Sequence, residues 1–453
     1  MIYPLPLVPF EEYMFLDDRP SYPMSFFLKF VFSGECEPRA LESALQSALR
    51  RHPLLSARIE EVKRNRFHWS QSPVKEIAVR WVASDGQMLG SPIDLFSEPG
   101  FRVSAQRHEE ETELVLQFHH SCCDGIGALR FCEDLLVGYA ATVSERDFRR
   151  APRDAFRPLD SRRLRGRGYF GLTPWKLLKM AHRQARGLLG ARQFLMRRPV
   201  PLQPIALESD MEKLPSEYPA EFVHQLTETE TASFVTAARK AGATVNDLLA
   251  RDLFLAIRDY RSSRQLSKED EWLRLSIPMN LRSPADEQLP AANMVSMIVF
   301  DRRPQDIANA QELLDSIHFE MQLIKKNQLG LTFPLSLQFS RPFPGAISRL
   351  RKLCEKPICR GTAVLSNLGR PLEDVPLARR NGKIVAGNMT LERMVFLPPI
   401  RPHTMAAFGA FTYADRLHLA LHFDQRGLTA VDAEEFFVGF VSRMRESGNT
   451  DSR

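Results

Sequence analysis

Two imidazoles, a carboxylate and a glycine stand close together in Phe118-His119-His120-Ser121-Cys122-Cys123-Asp124-Gly125, with the spacing HHxxxDG. A neutral imidazole, with an ordinary pKa of about 6.5, can take the proton of an alcohol or amine as that group attacks an electrophile. A carboxylate four residues on can pair with a cation from elsewhere and hold the loop, and Gly125 suits a backbone conformation that side chains disfavour. The alternative is a surface turn decorated with polar residues.

The flanking elements favour chemistry. Glu113 to Phe118 has the pattern of a strand, and Gly127 to Leu136 carries apolar residues at helical spacing, so the motif sits on a strand-to-helix turn. Period-two alternation puts Leu114, Leu116, Phe118 and His120 on one strand face, and Val115, Gln117 and His119 on the other. If the alternation holds to the strand end, one imidazole alone faces a given cavity. His120 continues the apolar row and is the expected base.

The chain that must position this turn has 453 residues, which suggests two domains. Its 44% hydrophobic and 26% charged residues are ordinary for a globular protein. No apolar run approaches the roughly 20 residues needed to span a bilayer. Met1 to Asp18 lacks the basic start and apolar core of a signal peptide, so a cytoplasmic location is expected. Six cysteines, at 36, 122, 123, 132, 354 and 359, form no evident disulfide framework. Cys354 and Cys359 lack a partner pair, so no metal site is expected. Cys122 and Cys123 fill variable positions of the motif and are assigned no chemistry.

HHxxxDG in this setting resembles the condensation-domain superfamily of acyltransferases, which includes chloramphenicol acetyltransferase, peptide-synthetase condensation domains and polyketide-associated acyltransferases. Further words agree along nearly the whole chain. Arg51-His52-Pro53-Leu54-Leu55 looks like the family's basic-His-Pro-x-Leu segment, and His52 is also readable as a cation at a helix C-terminus, which is preferred. Gly242-Ala243-Thr244-Val245-Asn246-Asp247 matches a family segment, although helix capping accounts for Thr244 and Asp247 without function. Pro278-Met279-Asn280-Leu281-Arg282 ends a strand, Leu273 to Pro278, and Ser366-Asn367-Leu368-Gly369 resembles a Ser-Asn-x-Gly element beside the tunnel. An ordinary turn would also use Asn and Gly there.

The resemblance implies an α/β (α+β) fold of two chloramphenicol-acetyltransferase-like sandwich domains. Each is a mixed sheet with helices, and a tunnel runs between them. It implies His120 as general base, with His119, Asp124 and Gly125 completing the motif and Arg282 as the partner of Asp124, in a geometry that allows a bidentate pair. Ser366, Asn367 and Gly369 would line the substrate site. The expected units are residues 1–144, a basic crossover 145–205, and 206–453. No tightly bound cofactor is implied. An acyl group on coenzyme A, or on the phosphopantetheine of an acyl carrier protein, would be the donor, and a small-molecule or lipid alcohol the acceptor. The plant enzymes' Asp-Phe-Gly-Trp-Gly word is absent, and Ser366 to Pro371 is a degraded form of the wax synthase element. No carrier-domain pattern occurs within these 453 residues, so a freestanding enzyme forming an ester is the expectation. A carrier-dependent enzyme forming an amide, and a non-catalytic binding protein of the same fold, are the alternatives.

Residues 145–198 hold 16 Lys and Arg against 4 Asp and Glu, a local +12 in a chain of net +6, so the remainder sums to −6. Leu172 to Met196 reads as a basic amphipathic helix, suited to peripheral membrane contact through residues 161–198, to an acidic carrier protein or to coenzyme A phosphates. A solvated basic crossover is the bland reading. No nucleic-acid motif accompanies the charge. Gly166-Arg167-Gly168-Tyr169-Phe170-Gly171 spells GxGxxG, but no strand precedes it and no acid follows until Glu208, so a dinucleotide site is rejected.

Overall fold

A computed structural model of the chain describes residues 2–63, 66–73, 77–88, 90–146, 156–204, 212–356 and 358–449. The expected boundary at residues 205 and 206, Glu208, and the side chains of Arg186, Leu188 and Leu189 lie outside the described set. In the first half the elements run β1 (Leu5–Pro6), α1 (Pro9–Asp17), β2 (Ser25–Ser33), α2 (Pro38–Arg51), β3 (Ala57–Lys63), β4 (Arg66–Gln71), β5 (Val79–Val82), β6 (Phe101–His108), β7 (Glu111–His119) and α3 (Gly125–Arg146). Pro38 starts α2, and its row Leu41, Ala44, Leu45, Ala48 and Leu49 is buried against α3, whose Phe131, Leu135 and Tyr139 share that core.

Sequence reading expects one helix before the motif helix, and there are two. α1 is the addition. It escapes a periodicity test because Pro9, Phe10, Glu11, Glu12, Met14 and Asp17 are all buried, which leaves no clean polar face.

After the crossover helix α4 (Pro174–Met196), the second half runs β8 (Ala220–Gln225), α5 (Glu228–Lys240), α6 (Val245–Ser263), β9 (Leu273–Asn280), β10 (Val295–Arg302), α7 (Ala310–Lys326), α8 (Thr332–Ser340), α9 (Ala346–Glu355) and β11 (Ala363–Asn367). It continues with β12 (Ala378–Arg380), β13 (Lys383–Ala386), β14 (Met389–Leu397), β15 (Ala406–Tyr413), β16 (Arg416–Phe423) and α10 (Ala430–Gly448). Thr227 with Glu230, and Thr244 with Asp247, form the capping boxes of α5 and α6. Between β15 and β16 the loop is only Ala414-Asp415, both at positive φ, so two strands join by a tight hairpin turn.

Two mixed sheets result. The first has the order β12-β13-β14-β2-β7-β6-β5 and the second β10-β9-β11-β15-β16-β8, while β1, β4 and β3 form a small third sheet. Sheet membership crosses the expected chain division. Strands β12 to β14 come from the second half, yet β14 lies antiparallel to β2 with Phe396 opposite Leu28. α3 also continues through residue 144 to Arg146. The sheets meet where Phe27, Val115 and Leu397 of the first pack with Tyr218 and Ala420 beside the second.

The basic crossover is packed rather than strung between lobes. Ser161–Tyr169 is a 3-10 helix in which Arg167 is buried and grips Glu11 of α1 through Nε and Nη2, at 2.5 and 2.6 Å. Glu11 also accepts from the Trp69 indole at 2.9 Å. The rejected GxGxxG word is therefore an anchor for α1. Gly168 is needed there because a Cβ would fall 2.7 Å from Val8 Cγ1.

Candidate active site

Strand β7 delivers the motif. Its register with β2 places Ser25 opposite His119, and the His120 amide extends the pairing by donating to Met24 O at 2.7 Å. His120 itself begins the turn. Asn293 Nδ2 clamps it from the other side by donating to His120 O at 2.6 Å. The His120 ring meets Phe26 edge to face, with centroids 5.2 Å apart, and Phe26 stacks in turn on Phe118.

The two imidazoles differ sharply. His119 is fully buried, its Nδ1 accepts the Ser121 amide at 3.1 Å, and its Nε2 lies 3.6 Å from Asp18 Oδ1. His120 keeps some accessible surface. Its Nδ1 is sealed and has no hydrogen-bond partner, while Nε2 is neither bonded nor sealed among the described residues. Burial lowers the His120 pKa, opposed by its own carbonyl and by Asp124, so the ring is neutral near pH 7 and can accept a proton.

Asp124 is fully committed to structure. Oδ1 accepts the Gly127 amide at 2.8 Å, and Oδ2 accepts the Met294 amide at 2.7 Å and Arg282 Nη1 at 2.8 Å. Burial alone would raise this carboxyl. Arg282 and the two amides outweigh it and hold the group below the usual carboxylate range. Arg282 is brought to Asp124 but not as a bidentate pair. Its Nη2 is spent on Ala292 O at 2.8 Å, and Asp124 Oδ1 already serves the start of α3.

Gly125 corrects an expectation. It is not among the positive-φ residues, and it opens α3. What it supplies is space, since a Cβ would sit 2.7 Å from Leu368 Cδ2. Through Leu368 the Ser-Asn-Leu-Gly element touches the motif. Ser366 is buried at the end of β11, Asn367 Oδ1 accepts the Gly369 amide at 2.8 Å, and Gly369 is at φ +71. Asn367 therefore serves the turn, and Leu368, not singled out from sequence, makes the contact.

His52 is also corrected. It is fully buried and its pKa is lowered by burial, so it is no cation at the end of α2. Nε2 bonds Asp134 Oδ2 at 3.0 Å and Nδ1 accepts the Ala291 amide at 2.8 Å. This ring joins α2, α3 and the second half.

A segment unnoticed in the sequence now stands out. Residues 291–294 give His52 an amide, Arg282 a carbonyl, His120 an amide side chain and Asp124 an amide. Arg130 of α3 holds the preceding stretch by donating to Asp286 O and Leu289 O at 2.8 and 2.9 Å. The available signal was Ala291-Ala292 before an asparagine, small residues that allow backbones to approach; a Cβ on Gly127 would meet Ala292 N at 3.0 Å.

Cys122, Cys123 and Cys132 are buried with thiol pKa values pushed well up by burial, which leaves them protonated and inert. No metal-binding cluster occurs among the described residues. A cavity of about 490 Å³ lies over β6 and β7, lined by Phe27, Met88, Arg102, Ser104 and Gln117, and contains no motif residue. It is not the tunnel expected at His120.

Two mixed sheets meeting beside a strand-end motif make the two-lobed fold shared by condensation domains and acyltransferases. The chain superposes on the first condensation domain of the calcium-dependent antibiotic synthetase, in complex with a substrate analogue, with a TM-score of 0.71 and 13% identity over 99% of this chain and 97% of that one. A trichothecene 15-O-acetyltransferase from Fusarium sporotrichioides matches with a TM-score of 0.69 and 13% identity, covering 98% and 95%. The starter condensation domain of rhizomide synthetase, a mutant in complex with C8-CoA, matches at 0.65 and 13%, covering 98% and 94%. In sequence, an uncharacterized protein of Mycobacterium tuberculosis is 24% identical over 396 residues, 83% of this chain and 85% of its own length. No protein-family model matches the chain.

Proposed function

We propose that the protein is an acyltransferase that moves an acyl group from a thioester, on coenzyme A or a carrier protein, to a hydroxyl acceptor. The observation that carries this reading is the state of His120: a neutral imidazole with one open nitrogen, fixed at both backbone ends and backed by Phe26. In the step assigned to it, Nε2 takes the acceptor proton as the oxygen attacks the thioester carbonyl. The tetrahedral adduct then collapses, the C–S bond breaks, and the thiolate recovers the proton from the imidazolium. Asp124 and Arg282 are positioning residues that hold the turn. We assign Ser366, Asn367 and Gly369 to the site wall, a reading supported by the contact of their neighbour Leu368 with Gly125.

The acetyltransferase neighbour and the neighbour solved with C8-CoA support the donor class. The test is free-thiol release from a panel of acyl-coenzyme A donors of increasing length, with pooled alcohols or amines, and His120→Ala as control. Release that needs an alcohol and is lost in the variant supports the reading. Release with no acceptor dependence, or equal release by the variant, overturns it, and activity on carrier-bound donors with amines alone would assign amide formation instead.

A further inference from the structure

Among the described residues, one face of α4 packs on the fold and the opposite face carries exposed apolar side chains. Met180 and Gly187 are buried, Gln184 exchanges hydrogen bonds with Thr332 and Gln328, and Phe194 lies under Arg274. On the other side Trp175, Leu178 and Met196 are 64%, 66% and 67% exposed. At about 100° per residue, these three fall within about 60° of one another and directly opposite the Met180–Gln184–Gly187 seam.

Cations flank this outward stripe. Lys176, Lys179 and Arg183 lie to one side and Arg192 to the other, all exposed, and Lys179 stands over the Trp175 ring at 5.2 Å. The helix contains no Asp or Glu in its 23 residues. No described carboxylate pairs with Lys179, Arg183 or Arg192. Tyr169 just before the helix, and Phe339 on the adjoining α8, are likewise mostly exposed.

We infer that the outward face of α4 is a docking surface for an anionic lipid bilayer. An apolar stripe bordered on both sides by cations is the pattern of a helix lying in a membrane interface, with rings and aliphatic chains below the headgroups and cations at their level. The exposed apolar groups sit at both ends of a rod about 34 Å long. A flat, extended surface meets both ends at once, whereas an acidic protein would answer the charge and leave exposed apolar groups at one end without a partner. The inference does not depend on the acyl-transfer reading.

The test is co-sedimentation of the full chain with phosphatidylcholine vesicles, with and without phosphatidylglycerol, at physiological and high salt. Wild type is expected to bind the anionic vesicles and to be released by salt. Neutralising Lys176, Lys179, Arg183 and Arg192 together to Gln should weaken partition at least about a hundredfold, and Trp175→Ser with Leu178→Ser about tenfold. These sites are exposed, so melting temperatures should stay unchanged. Binding that ignores lipid charge, or that survives both sets of substitutions, overturns the inference. So does an outcome in which vesicles are ignored while an acidic acyl carrier protein binds wild type and not the Gln variant.

Discussion

An imidazole can serve as a base only if it is neutral and one nitrogen is reachable. His120 meets both conditions, and His119, sealed and bonded to Ser121, does not. His120→Ala should therefore lower turnover by roughly 10²- to 10⁴-fold with little change in folding, measured as initial rates of thiol release. Cys122→Ser should leave turnover within about twofold, because a buried, protonated thiol contributes no nucleophile. Because burial lowers the His120 pKa, kcat/KM should stay level through neutral pH and fall only on the acid side of about 6.5, as the free base protonates. A limb at or above that value would count against His120. These roles are legible in sequence because the residues are contiguous and sit on a strand end. His52 is not legible, since its partners lie 82 and 239 residues away and nothing local distinguishes a buried acceptor from a helix-end cation.

At the scale of elements, the start of α3 is gripped by a strand end and a loop of the second half. Arg282→Gln should strand Asp124 with two amide donors but no cation, a loss of about 3–5 kcal/mol for breaking a buried pair. Denaturant unfolding checks the size, and adding Asp124→Asn should recover part of it, since the uncompensated charge is then gone. Equal stability of the single and double variants would deny the coupling. Gly125 offers a second test. Gly125→Ala drives a methyl toward Leu368, so turnover should fall several-fold, and Leu368→Ala should restore part of it by vacating that space. If Leu368→Ala brings no recovery, the contact is not what Gly125 protects. Pattern reading finds most of these elements, because α2, α6 and β7 each carry one apolar stripe or a buried face. It misses α1, buried around most of its circumference, and the strands from Ala378 to Leu397, which join the first sheet through β14, whose partner β2 lies more than three hundred residues earlier.

Across the whole molecule the two sheets are bound by an apolar contact, by ion pairs such as Lys29–Glu221 at 2.7 Å, and by strands lent from one half to the other. Two histidines of β16 are buried in this assembly, His418 and His422, each with its pKa pushed down to about 4 by burial. His422 Nδ1 bonds Pro398 O at 2.7 Å, just past the end of β14, while its Nε2 has no partner. In the unfolded chain such a ring takes a proton at about pH 6.5, so between there and 4 the unfolded state binds more protons and stability declines with acid. The contribution of neutral His422 is thus complete above about pH 6.5 and is lost as pH falls toward 4. Glu12 and Asp252, whose carboxyls are pushed up to about 6 by burial, act in the opposite sense, because protonation relieves their burial. Total stability against pH therefore mixes both signs, and a single-site comparison separates them. The destabilisation caused by His422→Gln, measured by denaturant unfolding, should shrink by about 2 kcal/mol between about pH 7 and pH 5, because only the wild-type ring loses stability over that interval. A cost that stays constant with pH would mean that His422 titrates in the folded state as it does in the unfolded chain, and that the seam between the sheets admits water.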